Sequence, residues 1–246
     1  LPDITFTINF KTEQCNVKTK PIFLYGRYIK NKRGLPQKEE SCRDCKGKGC
    51  IFCNNHGIVS FDGVEGKISK FLYEKFRTDK AKFTWIGGED KTSLVIGNGR
   101  PFFAKLFSPK KRNVRLTKKS SLNEIMIYDL RKIDYIPNGS IQFKSKTKIL
   151  VSTRNNLSSN KLKKLKQFVD AQIEIADSDK QYKKRIYKLK YKKHTLQSFI
   201  VEMEADGGIP IKRFVNGHGV IPNISSILNT YCSCEKFDVD QIYLSK

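Results

Sequence analysis

Long apolar runs are missing from this sequence: none approaches the length of a membrane-spanning helix, and no signal-peptide pattern opens the chain. A helical membrane protein is thereby excluded, and the expectation is a soluble, cytoplasmic protein. There is no internal repeat, no P-loop and no nucleotide-cofactor fingerprint, which removes solenoids and the common NTPase and dinucleotide-dependent classes. Acidic residues are scarce. Against 48 Lys and Arg stand 24 Asp and Glu, a formal charge of +24. Such an excess calls for a polyanionic partner, nucleic acid before an anionic membrane surface. Cysteines are few, and four of the seven fall within twelve residues, the spacing of a metal site in a reducing compartment rather than of a disulfide framework. What is present is a globular composition. With 246 residues, 38% hydrophobic and 16 Phe, the chain can bury a sizeable core as one large domain or one domain with a small appendage. Leu1 in place of an initiator Met gives the expectation of a piece of a longer protein.

In chain order, Ile4, Phe6, Ile8 and Phe10 alternate with polar residues, and with Ile22-Phe23-Leu24 they predict two paired strands within residues 1–30. Tyr25, Arg27, Lys30 and Arg33 follow. Basic residues interleaved with tyrosines suit RNA, the charges meeting phosphate and the rings stacking on bases; an ordinary strand edge with solvated lysines fits equally well. Cys42, Cys45, Cys50 and Cys53 form two Cys-x-x-Cys knuckles, with Gly47 and Gly49 permitting the reversal between them. Four thiolates at this spacing fit a closed, structural zinc site. His56, just beyond, reads as a surface residue rather than a further ligand.

Val64, Ile68, Phe71, Leu72 and Phe76 have helical spacing over 64–77, and Phe83–Ile86 reads as a strand. Seven basic residues between Lys105 and Lys119, with Lys110, Lys111 and Arg112 at their centre, make either a solvated loop or a grip on an RNA backbone. Ile125–Tyr128 reads as a strand. Residues 160–168 place Leu162, Leu165 and Phe168 on one helical face, with Ser158, Ser159 or Asn160 as N-cap. Gln181–Lys193 alternates as a strand with one basic face, and eight cations between Lys180 and Lys193, among them Lys183, Lys184 and Arg185, suggest a phosphate track. Residues 237–243 close the chain as a strand.

The centre of the reading is Gly87-Gly88-Glu89-Asp90, then Leu94-Val95-Ile96, then Gly97-Asn98-Gly99-Arg100-Pro101-Phe102. It reads as a tight turn presenting a carboxylate, a buried strand and a second turn carrying an arginine. On local pattern alone this is either an exposed acidic turn beside a hairpin or an active-site loop. The stretch resembles the active-site loop of the archaeal and eukaryotic tRNA pseudouridine synthases that act on the TΨC loop. Gly87, Glu89, Asp90, Gly97, Gly99, Arg100, Pro101 and Phe102 match in register. The Tyr25–Gln37 stretch, the cysteine knuckle and Gly207–Gly219, in which Lys212 matches a basic residue paired with the catalytic aspartate, resemble the same family. Several positions depart: Gly88 stands for an arginine, Thr92 for Asp, Leu94 for Arg, and His218 for an Asp. Lys146-Thr147-Lys148 puts a lysine where a base-stacking tyrosine is expected, with Tyr128 or Tyr135 as substitutes.

The resemblance implies an α+β fold, a pseudouridine-synthase-like mixed and mostly antiparallel sheet flanked by helices, with a small zinc knuckle. Residues 1–37 would be N-terminal strands at the end of a truncated RNA-binding domain, 38–60 the knuckle and 61–246 the catalytic domain. It implies isomerisation of uridine to pseudouridine at position 55 or 54 of tRNA, with Asp90 as nucleophile, Lys212 holding it ionised, and Arg100 among the RNA contacts. Structural Zn2+ and no organic cofactor are expected, with tRNA as partner, no membrane and a monomeric state. Two other classes stay open. One is a weak or inactive homologue that binds or remodels tRNA; the other is a zinc-dependent RNA-binding module, which an Asp90–Lys212 contact would argue against.

Overall fold

The structure is a computed structural model that describes residues 2–177 and 180–244. The chain forms two compact units that interleave in sequence: residues 1–85 with 101–138, and residues 86–100 with 139–246. No described helix is long and apolar enough to cross a membrane.

In the first unit, β1 (Ile4–Asn9) pairs antiparallel with β2 (Gln14–Thr19), from Ile4 opposite Thr19 to Asn9 opposite Gln14. This corrects the expected partner. The apolar stretch at Ile22–Leu24 belongs instead to β3 (Ile22–Lys30), which pairs antiparallel with β7 (Ile125–Ile133). Alternation predicts a strand but carries no information about which strand lies beside it. The β1–β2 hairpin leaves Ile4, Phe6, Ile8 and Phe10 exposed. The remaining strands are β4 (Lys80–Trp85), the far half of β5 (Val95–Phe107) and β6 (Lys119–Leu122), in the order β4-β5-β3-β7-β6.

Helix α1 (Val64–Phe76) fulfils its spacing. Val64, Ile68, Leu72 and Phe76 recur every four residues and are fully buried. It ends at Arg77, whose left-handed φ of 50° closes the last turn onto the Tyr73 carbonyl. Beneath it, Tyr28 meets Trp85 edge-on at 5.7 Å, and Gly26 sits where a Cβ would come within 2.8 Å of the Phe102 ring. A larger residue at Gly26 would push that ring out of the core.

The second unit orders its strands β12-β9-β10-β11-β8-β13-β5, adding β8 (Phe143–Thr153), β9 (Ala171–Asp177), β10 (Lys180–Lys193), β11 (Ser198–Asp206), β12 (Val220–Ile221) and β13 (Cys232–Leu244). Neighbours run antiparallel except β13 and β5, which are parallel where Val239 faces Val95. The fold is therefore α+β with a mixed, mostly antiparallel sheet. Helix α2 (Ser159–Lys163) continues as a 3-10 turn to Phe168, and Ser158 is its N-cap, its side chain accepting from the Lys161 amide. With α3 (Ile211–Asn216) and α4 (Ile224–Leu228) it supplies the apolar cover: Leu162, Leu165, Phe168, Phe214 and Ile224 share a cluster with Ile149, Ile173, Phe199 and Val201 of the sheet.

Candidate active site and metal centre

The Asp90 loop runs from Ile86 to Leu94 and is held from inside by Arg100. That guanidinium is 2% exposed; it donates from Nε to Glu89 at 2.9 Å, from Nη1 to the Ile86 carbonyl at 2.7 Å and from Nη2 to the Gly88 carbonyl at 3.0 Å. The planar fork with fixed donors is what allows one side chain to bind three points of a loop. Arg100, expected at the RNA, is thus buried and committed to the loop. Gly87, with φ of 72°, passes so close that a Cβ would lie 2.7 Å from the Phe143 ring and 2.8 Å from Arg100. No other residue fits there without displacing one of them.

The stretch expected as a second turn, Gly97–Pro101, lies inside β5 instead. Its irregular backbone serves the adjoining strand. A Cβ on Gly97 would meet the Asp240 carbonyl at 2.1 Å, and Asn98 exchanges two hydrogen bonds with the backbone of Ile242, at 3.0 and 2.8 Å. Gly97 admits β13, rather than turning the chain.

Asp90 receives partners on both oxygens. Lys212 pairs with Oδ2, while the Thr92 amide and hydroxyl donate to Oδ1 at 3.1 and 3.2 Å. The Lys212 hydrogen bond, then the Thr92 amide, holds the Asp90 carboxyl below its usual range; the same contact pushes Lys212 up. Lys212 comes from the first turn of α3, which begins after Pro210, buries Phe214 and Val215, and ends at Gly217 with φ of 100°. The sequence therefore locates both members of the pair, and the structure brings them together.

The pair borders a cavity of about 470 Å³ between the Asp90 loop, the entry to α3, β8 and β13. Its walls are mainly apolar, with Phe143, Pro210, Ile211 and Phe237 among them. An apolar cleft with a few polar groups suits a flat heterocycle. Phe143, Ser145 and Thr147 all line it, as residues on one face of β8 must. Lys148 points to the other face and is exposed. The residue expected in place of the stacking tyrosine is therefore not Lys148, since Thr147 holds the cavity-facing position. Tyr128 and Tyr135 belong to the first unit; the rings at the cavity are Phe143 and Phe237. Sequence reading missed both phenylalanines, although the two-residue period of β8 carries the signal for the first.

The other basic candidates divide. In the first unit Tyr25 and Lys30 are buried. Arg131 covers the Tyr25 ring at 4.3 Å, and Lys30, fully buried, donates to the Leu35 carbonyl at 3.0 Å. Both hold structure there and present neither a ring nor an ammonium to solvent. Arg27, which donates to the Tyr25 hydroxyl at 3.1 Å, and Arg33 are half-buried. Lys110 and Lys111 are exposed, whereas Arg112 bonds the Lys20 carbonyl at 2.8 Å and Asp3 at 3.2 Å. In the second unit the basic strand carries more counter-charge than its sequence shows. Lys183 pairs with Glu174 at 3.0 Å, Arg185 with Asp170 at 2.8 Å and Lys188 with Glu204 at 3.2 Å. Exposed pairs of this kind are weak. Lys184 reaches to within 4.0 Å of the Cβ position at Gly208, a lining residue of the cavity. His218 is exposed, and its backbone carbonyl accepts from Arg213 at 2.8 Å.

In the first unit the four cysteine sulfurs lie within 4.8 Å of one another and could hold a metal ion. The separations of 3.9 Å (Cys42–Cys50), 3.8 Å (Cys45–Cys53) and 3.7 Å (Cys50–Cys53) agree with the spacing of about 3.8 Å that Zn–S bonds of about 2.3 Å require in a tetrahedron. Amides of Gly49 and Gly57 donate to Cys45 and Cys53 at 3.1 and 3.2 Å. Burial pushes the Cys53 thiol up, but the amides and the neighbouring thiols outweigh it and bring it down to about 6. His56 stands outside this cluster, stacked on Tyr73 at 5.0 Å with Nδ1 on the Asp79 carbonyl.

Comparison with known proteins gives a consistent answer. The family model described as Pus10, C-terminal, matches residues 23–243. A protein named tRNA pseudouridine synthase Pus10 from Nitrosopumilus maritimus is 43% identical over 242 residues, 98% of this chain and 63% of that protein. Proteins of the same name from Cenarchaeum symbiosum and Methanocaldococcus jannaschii are 34% and 31% identical, over 100% and 98% of this chain and 61% and 57% of theirs. The chain thus spans less than two thirds of the length of these curated relatives.

Proposed function

This chain belongs to the Pus10 C-terminal family, and from that premise we propose that it is the catalytic part of a tRNA pseudouridine synthase acting on the TΨC loop, at position 55 or 54. The observation that carries the reading is the Asp90–Lys212 pair at the border of an apolar cavity. A zinc-dependent RNA-binding module without enzymatic ancestry has no use for that arrangement.

The uridine leaves the stacked loop and enters the cavity, as a base must before an enzyme can act on it. Phe143, Ile211 and Phe237 offer apolar surface to the uracil. Asp90, ionised by Lys212 and Thr92, acts on the nucleoside at the ribose or the base. The N1–C1′ bond breaks, the uracil turns, and a C5–C1′ bond forms as the C5 proton departs and a proton is gained at nitrogen. Substrate and product are isomers, so the reaction consumes no oxidant or reductant. Exposed Lys110 and Lys111, and the cations of β10 with Lys184 at the cavity, would follow the phosphate backbone. The cysteine cluster would hold structural zinc, a closed four-sulfur site with no position for substrate.

The test is pseudouridine formation on an unmodified tRNA transcript by the wild type and by Asp90→Ala, with tRNA binding measured in parallel. Product from the wild type alone supports the reading. If neither forms pseudouridine while both bind tRNA equally, the chain is a tRNA binder on a synthase scaffold, an outcome consistent with Gly88 lacking the arginine side chain of the resembling motif.

A further inference from the structure

Lys212 alone does not fix the orientation of Asp90. Its side chain is 56% exposed and is a flexible stem bearing a point charge, and a carboxylate turns about its terminal bond over a broad range. Thr92 supplies what the ion pair lacks. It is two residues away, and its amide and hydroxyl converge on Oδ1 at 3.1 and 3.2 Å, while the Ser93 amide donates to the Asp90 carbonyl at 2.9 Å and closes the turn. We propose that Thr92 is a positioning residue for the reaction: its hydroxyl, bonded to Oδ1 while Lys212 takes Oδ2, fixes the carboxylate plane and presents a constant edge of Asp90 to the cavity. The inference rests on the reading of Asp90 as the reacting carboxylate.

A hydroxyl bonded to a carboxylate is a charge-assisted donor, which favours the ionised acid over the neutral one. Charged and titratable neighbours come from α3, β13 and the loop itself. From α3 come Lys212, on Asp90 itself, and Arg213, engaged with Asp177 at 3.3 Å. From β13 come Asp238, whose Oδ1 accepts from the Leu94 amide at 2.9 Å, and Cys234, whose thiol burial pushes up to about 11 and so keeps neutral. The loop adds Lys91 and Glu89, the latter bound to Arg100, and the β8 residues at the cavity, Phe143, Ser145 and Thr147, do not titrate. Thr92 is exposed, so replacing it disturbs no packed core.

The experiment compares the full chain as wild type, Thr92→Val, Thr92→Ser and Asp90→Asn. It reads the pH profile of single-turnover pseudouridine formation, the tRNA affinity, and the titration of the Asp90 carboxyl by carbon-13 NMR. Valine keeps the amide bond and the branched shape and removes only the hydroxyl. The expected result for Thr92→Val is an acid limb moved to higher pH, a several-fold lower maximal rate and unchanged tRNA affinity, with the carboxyl titration also moved up. Serine restores all three towards wild type. A valine variant that keeps the wild-type limb and rate overturns the proposal, as does a serine variant that fails to restore them. Undiminished turnover by Asp90→Asn would instead sink the reading of Asp90. If no variant, wild type included, turns over tRNA, the enzymatic reading fails, and an unmoved carboxyl titration then overturns the positioning role as well.

Discussion

Arg100 and Lys212 are both cations paired with carboxylates, but their settings make them different in kind. Arg100 and Glu89 have side chains 2% and 0% exposed, so removing one partner leaves a buried charge uncompensated. Arg100→Met is expected to cost about 3–5 kcal/mol of stability, read as a lower denaturant midpoint, with part of the loss recovered by adding Glu89→Gln. A midpoint close to wild type for the single variant would show that the guanidinium does not hold the loop. Lys212, more than half exposed, contributes little to stability. Its effect falls on the ionisation of Asp90, whose carboxyl it holds below the usual range.

Among the elements, β5 carries the most unusual local sequence, and its Gly97 contrasts with Gly139, which lies in the loop before β8. Gly97 combines a φ of 55° with an Asp240 carbonyl 2.1 Å from where a Cβ would be, whereas Gly139 has a φ of 82° and nothing within 4 Å. Gly139→Ala should therefore cost only backbone strain, about 1 kcal/mol. Gly97→Ala should cost clearly more, because β13 must also move. Equal losses in a denaturant titration of the two variants would contradict the close approach. This contrast also shows where the sequence could be read and where it could not. Helix α1 was legible because Val64, Ile68, Leu72 and Phe76 state its period locally, and the basic strand because Lys188, Lys190 and Lys192 alternate with Tyr187, Leu189 and Tyr191. The Gly97–Pro101 stretch was misread as a turn, since the cause of its glycines lies on a strand distant in sequence. The pairing of β1 with β2 and the counter-charges that Glu174 and Glu204 set against β10 were hidden for the same reason: each depends on register between strands. The Asp90–Lys212 contact and the clustering of the four cysteines were legible because motif, in one case, and spacing, in the other, restrict residue type at those positions.

On the scale of the whole molecule, the first unit carries a four-cysteine knuckle whose connecting turns have little core of their own. Ile51 and Phe52, between Cys50 and Cys53, are each 81% exposed, so the knuckle's order must come from its ligands and backbone bonds rather than from burial. Metal affinity in such a site is folding free energy. The purified chain is expected to contain one zinc, and a strong chelator to lower its apparent melting temperature, with zinc addition restoring it. Cys42→Ser should reproduce the chelated state without chelator. A chain free of metal, with melting indifferent to zinc, would leave the sulfur cluster as a set of reduced thiols.

The interleaving of the two units also bears on how the chain emerges from the ribosome. Asn98 takes its strand partner from Ile242, 144 residues later in synthesis. At elongation rates of about 5–20 residues per second, that separation is on the order of ten seconds. For most of this interval the Asp90 segment has been made, but neither Lys212 nor β13 exists to receive it. The Asp90–Lys212 site thus gains its full support only once β13 has been made, and a message or protein cut short before β13 yields a product whose Asp90 is present in sequence and unsupported in space.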